Sequence, residues 1–297
     1  MTGVDHVVLT RFNLPSAGYE KTVRTRDGWL ESRVGLFERY CLPSVLSQSC
    51  QDFAWLVYFD PESPSWLMER IARWSGSLTP LFRREVLAPE LIADLRAASG
   101  GGGGRLLTTN LDNDDALSSD FVERVQAAAR SVDDQPTAIY LAHGLIAAGE
   151  RLYRRHDPAN AFCSVAAPWA AQKTCWSDWH NHLGRSMPVV LDRGGPGWLQ
   201  VVHGANVSNR VHGVLTAPAV HTRSFPGLLD DLRRPRTRDR LLDGTVRQPA
   251  RIAREALRGA VKSIVVAFGG RDALDRVRTR ARIRGPRGGL SGRRSGQ

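Results

Sequence analysis

The chain has 297 residues, 42% of them hydrophobic, which suffices for one large domain or two small ones with a buried core and excludes disorder throughout. Its net charge of +11 is concentrated at one end: from Arg233 onward there are 18 Arg and 1 Lys against 5 acids, leaving residues 1–232 at about −3. Cys41, Cys50, Cys163 and Cys175 make no C-x-x-C pair, no apolar run nears the roughly 20 residues of a membrane span, and Met1–Asn13 holds no basic-then-apolar leader, so a soluble cytoplasmic protein with reduced thiols is expected.

His6–Asn13 reads as a first strand that releases a polar tip after Thr10 and Arg11, the way an α/β sheet presents a ligand. Trp29–Gln48 is helical in pattern, with Pro43 expected to kink or divide it. Phe53–Phe59 is a continuous apolar strand ending at Asp60, so strand, helix and strand form a parallel βαβ unit with an acid at its carboxyl end. Asp60 is read as a donor contact, against a simple loop cap. A helix over Trp66–Trp74, a strand over Thr79–Val86 and a helix over Pro89–Ala98 follow, and Gly100–Gly104 reads as a connector without the context of a phosphate loop.

Arg105–Leu117 (R-L-L-T-T-N-L-D-N-D-D-A-L) is the focal stretch, an apolar run ending in three carboxylates within four positions. Like charges so close repel, which points to a divalent cation with hard oxygen ligands; the bland alternative is an acidic turn capping the next helix. Ala116 and Leu117 stand where a calcium loop needs an oxygen ligand and a glycine. Asp112 and Asp114, at i and i+2, leave the same side of an extended segment and suit a shared Mg²⁺ or Mn²⁺; Asp115 orients the loop or reaches a donor sugar.

Asp120 with Glu123 reads as the cap of a helix to about Arg130, and Thr137–Ala167 as an antiparallel hairpin region. His180, His182 and Cys175 could form a zinc site but lack a spaced fourth ligand. His203 follows the apolar run Leu199–Val202, a strand-end position open to a ligand or a structural role. Asp178, flanked by aromatics expected to desolvate it, is a candidate general base, with an exposed helix cap as its alternative.

Three blocks, Leu42–Asp60, Thr108–Leu117 (T-T-N-L-D-N-D-D-A-L) and Val201–Asn209 (V-V-H-G-A-N-V-S-N), resemble the rhamnosyltransferase family of bacterial GT-A-type glycosyltransferases. The resemblance implies a GT-A-like, Rossmann-like fold: a mixed, mainly parallel sheet flanked by helices, with an antiparallel acceptor-side region. It also implies a nucleotide-sugar donor, dTDP-rhamnose among the candidates, held near Thr10, Arg11, Asp60, Asp115 and Asn206. The diphosphate would lie on a metal at Asp112 and Asp114, with His203 completing the shell. Asn110 stands where a basic residue is expected, with Arg105 or Arg11 as substitutes. The implied reaction is sugar transfer, with inversion, to a glycan or lipid-linked hydroxyl.

Residues 1–232 are therefore read as the transferase domain and 233–297 as an Arg-rich tail. The tail holds an amphipathic basic helix near 250–268, suited to anionic lipid or to docking on the body, and then disordered sequence. Two competing readings are a sugar nucleotidyltransferase, whose basic glycine-rich loop is missing from Thr10–Arg26, and a nucleic-acid-binding protein acting through the tail, disfavoured by the near-neutral body.

Overall fold

The computed structural model describes residues 3–15, 28–102, 104–203, 211–251 and 253. The chain divides into two compact units, Met1–Asp243 and Gly244–Gln297. Of the predicted tail helix only residues 250, 251 and 253 are described, and they are helical; the rest lies outside the described residues.

The first unit is built on a seven-stranded sheet. In chain order its members are β1 (Val4–Arg11), β2 (Ala54–Phe59), β3 (Thr79–Phe82), β4 (Arg105–Asn110), β6 (Thr137–Leu141), β9 (Ser164–Pro168) and β10 (Val189–Asp192). They lie in the order β3-β2-β1-β4-β9-β6-β10, all parallel except β9, which runs against both neighbours. A second sheet is formed by β5 (Ala116–Leu117), β11 (Trp198–Val202), β7 (His143–Ala148), β8 (Arg151–His156) and β12 (Val214–Thr216), in that spatial order. The predicted hairpin region is thus split: β7 and β8 do form an antiparallel pair, while β6 and β9 join the main sheet, where their largely apolar runs are buried on both faces.

Strand periodicity sorts the core. Val8, Trp55, Val57, Phe59, Leu107 and Ile139 point to one face, packed beneath α1 (Trp29–Leu36), α3 (Ser65–Trp74) and α5 (Phe121–Ser131). Val7, Leu9, Leu56, Tyr58, Leu106 and Val165 point to the other, beneath α4 (Ala88–Ser99) and the segment carrying Cys175 and Leu183. Helix α4 stops at Gly100, whose φ of 74° closes its C-terminus.

Pro43 does not break the second element where the sequence suggested. Having no N–H, it cannot join the regular ladder, and the preceding turn, Phe37–Cys41, widens to π geometry with Leu42 N–H donating to Phe37 O. Helix α2 (Leu42–Leu46) then carries the chain to Gln48. The cap of α5 also differs from expectation: neither Asp120 nor Glu123 supplies it. Gln48 Oε1 accepts Val122 N–H at 3.0 Å, while its Nε2 donates to Ser44 O and Ser118 O, each at 2.8 Å. Asp120 instead accepts from Ser118 Oγ and pairs with Arg124.

Candidate active site

The acidic turn is the junction between the sheets. Strand β4 ends at Asn110 in the main sheet, the turn 111–115 crosses over, and β5 starts the second sheet at Ala116. Strand β11 pairs with β5 and ends at Val202, so His203 returns to the same turn. Strands β1 and β2, parallel to β4, end beside it, so the cluster sits at the carboxyl edge of the sheet.

Asp115 N–H donates to Asp112 O at 3.3 Å, so the segment is a tight turn and not the extended stretch expected, and Asp112 and Asp114 do not share one environment: the first is exposed and the second buried. Asn113, buried, turns inward and donates through Nδ2 to Phe12 O at 2.5 Å and Arg11 O at 3.3 Å, tying the turn to the end of β1. Asp114 is buried against two basic side chains from other elements: an ion pair with the Arg33 guanidinium from α1, and the His203 imidazole, whose Nε2 lies 2.9 Å from its Oδ2. Burial acts to raise the Asp114 carboxyl, but the His203 hydrogen bond and the Arg33 charge outweigh it and hold it below the usual carboxylate range. Asp115 is fully buried; its Oδ1 accepts Val201 N–H at 2.8 Å, and its Oδ2 has no hydrogen-bond partner among the described residues. Burial, then the charges of Asp114 and Asp112, push its carboxyl well up. Asp112 stands at the open mouth, where protein crowding and then the Asp114 charge push its carboxyl up to about 6.

Three carboxyl groups are thus crowded about the Arg33 guanidinium and the His203 imidazole, and one buried carboxyl oxygen, Asp115 Oδ2, has no hydrogen-bond partner among the described residues. That donor set, hard oxygens with one imidazole, fits a divalent cation. The cluster is not preassembled as a cage: among the described residues no three His, Cys, Asp or Glu side chains are arranged to hold a metal. Asp114 Oδ2, the natural ligand atom, is already engaged by Arg33 and His203.

The other predicted contacts are redistributed. Arg11 lies at the mouth, its guanidinium 4.1 Å from the Trp176 ring centroid, and its charge acts on Asp112. Trp176 Nε1 donates to Asn110 Oδ1 at 2.7 Å and Asn110 Nδ2 to Ala161 O at 2.9 Å, so the Asn110 amide is committed to holding the loop that carries Trp176. Arg105 cannot substitute for a basic residue at Asn110: it begins β4, at the opposite end of the strand, and binds Ala129 O and Asp133 O. Thr10 is fully buried and accepts from Trp55 Nε1 at 3.0 Å, facing the core instead of a donor. Asp60 caps its own turn, Oδ1 accepting Glu62 N–H, while its N–H donates to Asn13 Oδ1. Asp115, expected to orient the loop or reach a donor sugar, is fully buried against Val201 N–H. Asp178 is exposed, with Trp179 73% exposed beside it and His182 Nδ1 at 3.7 Å, so the expected desolvation by aromatics is absent; Trp176 packs instead on Arg11 and Tyr58. Asn206 lies outside the described residues. Arg33, Asn113 and Trp176 were not singled out from sequence; only the apolar periodicity of α1 and the position of Asn113 between two acids were visible there.

The fold defines an α/β chain built on a mainly parallel sheet, with the acidic turn at that sheet's carboxyl edge. The chain belongs to the family described as "Putative rhamnosyl transferase", whose model matches residues 5–214. No curated protein matches it. Among solved structures it is similar to S. aureus TarS residues 1–349 in complex with UDP-GlcNAc, at 11% identity and a TM-score of 0.42, the match covering 70% of this chain and 62% of that one. It is also similar to GalNAc-T7 with UDP, GalNAc and Mn²⁺ (12% identity, 70% and 45% covered, TM-score 0.36) and to the inositol-1-phosphate CTP transferase of T. maritima (10%, 70% and 94%, 0.36). The chain thus spans less than two thirds of the TarS structure, and likenesses of this size carry no argument about ligand or activity. Among the described residues no helix is long and apolar enough to cross a membrane.

Proposed function

We propose that this chain is a glycosyltransferase that moves a sugar, rhamnose being the first donor to test, from a nucleoside diphosphate to a hydroxyl of a glycan or lipid-linked acceptor. The observation that carries the reading is the Asp112-Asn113-Asp114 turn, set at the carboxyl edge of the sheet, where crowding raises the carboxyls of Asp112 and Asp115. Family membership over residues 5–214 supports it.

Asp112, Asp114 and His203 would hold Mn²⁺ or Mg²⁺, which when bound offsets the charge that builds on the β-phosphate as the sugar departs. Arg11, braced on Trp176 at the mouth, adds a fixed cation for the diphosphate. Asn113 keeps the turn in register with β1, and Asp60 with Asn13 shapes the loop against which the nucleoside would lie. Asp178, exposed on the loop after β9, is the candidate for accepting the acceptor's proton; attack from the face opposite the diphosphate gives inversion. A cytoplasmic site of action, with the Arg-rich tail from residue 233 touching anionic lipid, suits a lipid-linked acceptor.

The test is a thermal-shift and product screen of nucleotide sugars with and without Mn²⁺ on the full chain and on Asp112→Asn. The reading expects metal-dependent stabilisation by a nucleoside-diphosphate sugar, release of the nucleoside diphosphate, and loss of both in the variant. Pyrophosphate formation from a nucleoside triphosphate and a sugar phosphate would identify a nucleotidyltransferase instead, and stabilisation by no nucleotide at all would end the proposal.

A further inference from the structure

Asp114 carries the strongest electrostatic arrangement in the site, and its partner Arg33 arrives from a different element, 80 residues away from Asn113 in sequence. The guanidinium is mostly buried, its side chain 13% exposed. Only NH1 is used at the cluster: it pairs with Asp114 Oδ2 and donates to Asn113 Oδ1 at 3.1 Å, while Nε is buried with no partner among the described residues. The Trp29 ring lies 5.4 Å away. This is not the two-pronged fork by which arginine locks a carboxylate. It is a desolvated cation held by one nitrogen, on the same oxygen that also receives His203.

We propose that the Arg33 guanidinium and a divalent cation are alternative occupants of Asp114. In the cation-free chain Arg33 pairs with the buried Asp114 carboxylate, offsetting a charge that lies beside Asp112. A dication brought to the same oxygen meets a positive charge at contact distance, and the two cannot share it. Because Arg33 is held through one nitrogen, its release breaks two polar contacts among the described residues and leaves the Asn113 clamp on β1 intact. Arg33 thus sets the cation affinity of the turn. The inference rests on the cation site proposed above.

The test is calorimetric titration of the full chain with MnCl₂, without donor, for wild type, Arg33→Gln, Arg33→Lys and Asp112→Asn. Competition expects Arg33→Gln to bind Mn²⁺ more tightly, on the order of tenfold or more, with Arg33→Lys near wild type. A residue that merely shapes the cluster would give weaker or unchanged binding in a folded Arg33→Gln, and that result overturns the proposal. Should binding vanish in Asp112→Asn while Arg33→Gln shows no gain, the cation site stands and only the competition fails. If neither wild type nor Arg33→Gln takes up Mn²⁺, the cation site itself is wrong and the competition falls with it. If Arg33→Gln does not fold, the wild type decides: its Arg33 Nε–Hε signal, assigned by its loss in Arg33→Lys, must shift on saturation with MgCl₂, and an unmoved signal overturns the proposal.

Discussion

His203 Nε2 lies 2.9 Å from Asp114 Oδ2, tying the end of β11 to the acidic turn across 89 residues of chain. The bond joins the second sheet to the carboxyl edge of the first, and it presents an imidazole to the buried Asp114 carboxylate. His203→Ala is expected to lower donor turnover about 100-fold, a loss comparable with removing one electrostatic stabiliser. Its melting temperature should fall by only a few degrees, the cost of about one buried hydrogen bond. Nucleoside-diphosphate release kinetics beside a melting curve separates the two effects.

Asp112 and Asp114 should respond oppositely in stability. Asp112 has its carboxyl raised to about 6, so its charged form is disfavoured in the folded state at neutral pH. Asp112→Asn removes that charge and is expected to raise the melting temperature slightly, on the order of 2 °C, while abolishing turnover. Asp114→Leu instead strands the Arg33 cation and is expected to cost about 3 kcal/mol. Urea denaturation of the two variants at pH 7.5 checks the contrast.

Trp176 braces Arg11 through its ring face and Asn110 through its indole N–H. Trp176→Phe keeps the ring and loses the hydrogen bond; Trp176→Ala loses both. Donor KM is expected to rise a few-fold in the first and about tenfold in the second, with kcat changing less. A fall in kcat alone would show that Trp176 does not act through donor binding.

His6 provides a pH-dependent term in stability. It is buried among Thr109, at 2.9 Å from Nε2, and Gln126, whose amide faces Nδ1 at 3.4 Å, and burial with the Arg130 charge lowers its pKa to about 3. The unfolded chain takes up this proton near pH 6.5 and the folded chain does not, so stability falls as the pH drops from 6.5 towards 3. At pH 4 the contribution is about 3 kcal/mol as an upper bound. His6→Gln should narrow the gap between urea midpoints at pH 7 and pH 4 relative to wild type.

A fifth expectation concerns close packing. A Cβ on Gly144 would lie 2.0 Å from the Trp198 ring, which is itself stacked on Phe162 and donates to Leu141 O. Gly144→Ala is expected to destabilise the chain by about 3 kcal/mol. Equilibrium unfolding measures it.

Much of the fold was legible in the sequence because burying a strand's backbone on both faces demands continuous apolar runs, and Val7–Leu9, Trp55–Phe59 and Leu106–Leu107 supply them. The acidic turn was legible for a related reason: three carboxylates so close are too costly without a compensating cation nearby. What the sequence could not show was which polar side chains share one edge. Arg105 is five residues from Asn110 along the chain yet lies at the far end of the strand, whereas Arg33 and His203 lie 81 and 89 residues from Asp114 and touch it. Strand direction and the crossovers decide this, since an extended strand separates its own ends while parallel pairing gathers the tips of others. Composition and periodicity thus determined the layers and the acidic turn, and the tertiary structure alone decided that Arg33 answers Asp114.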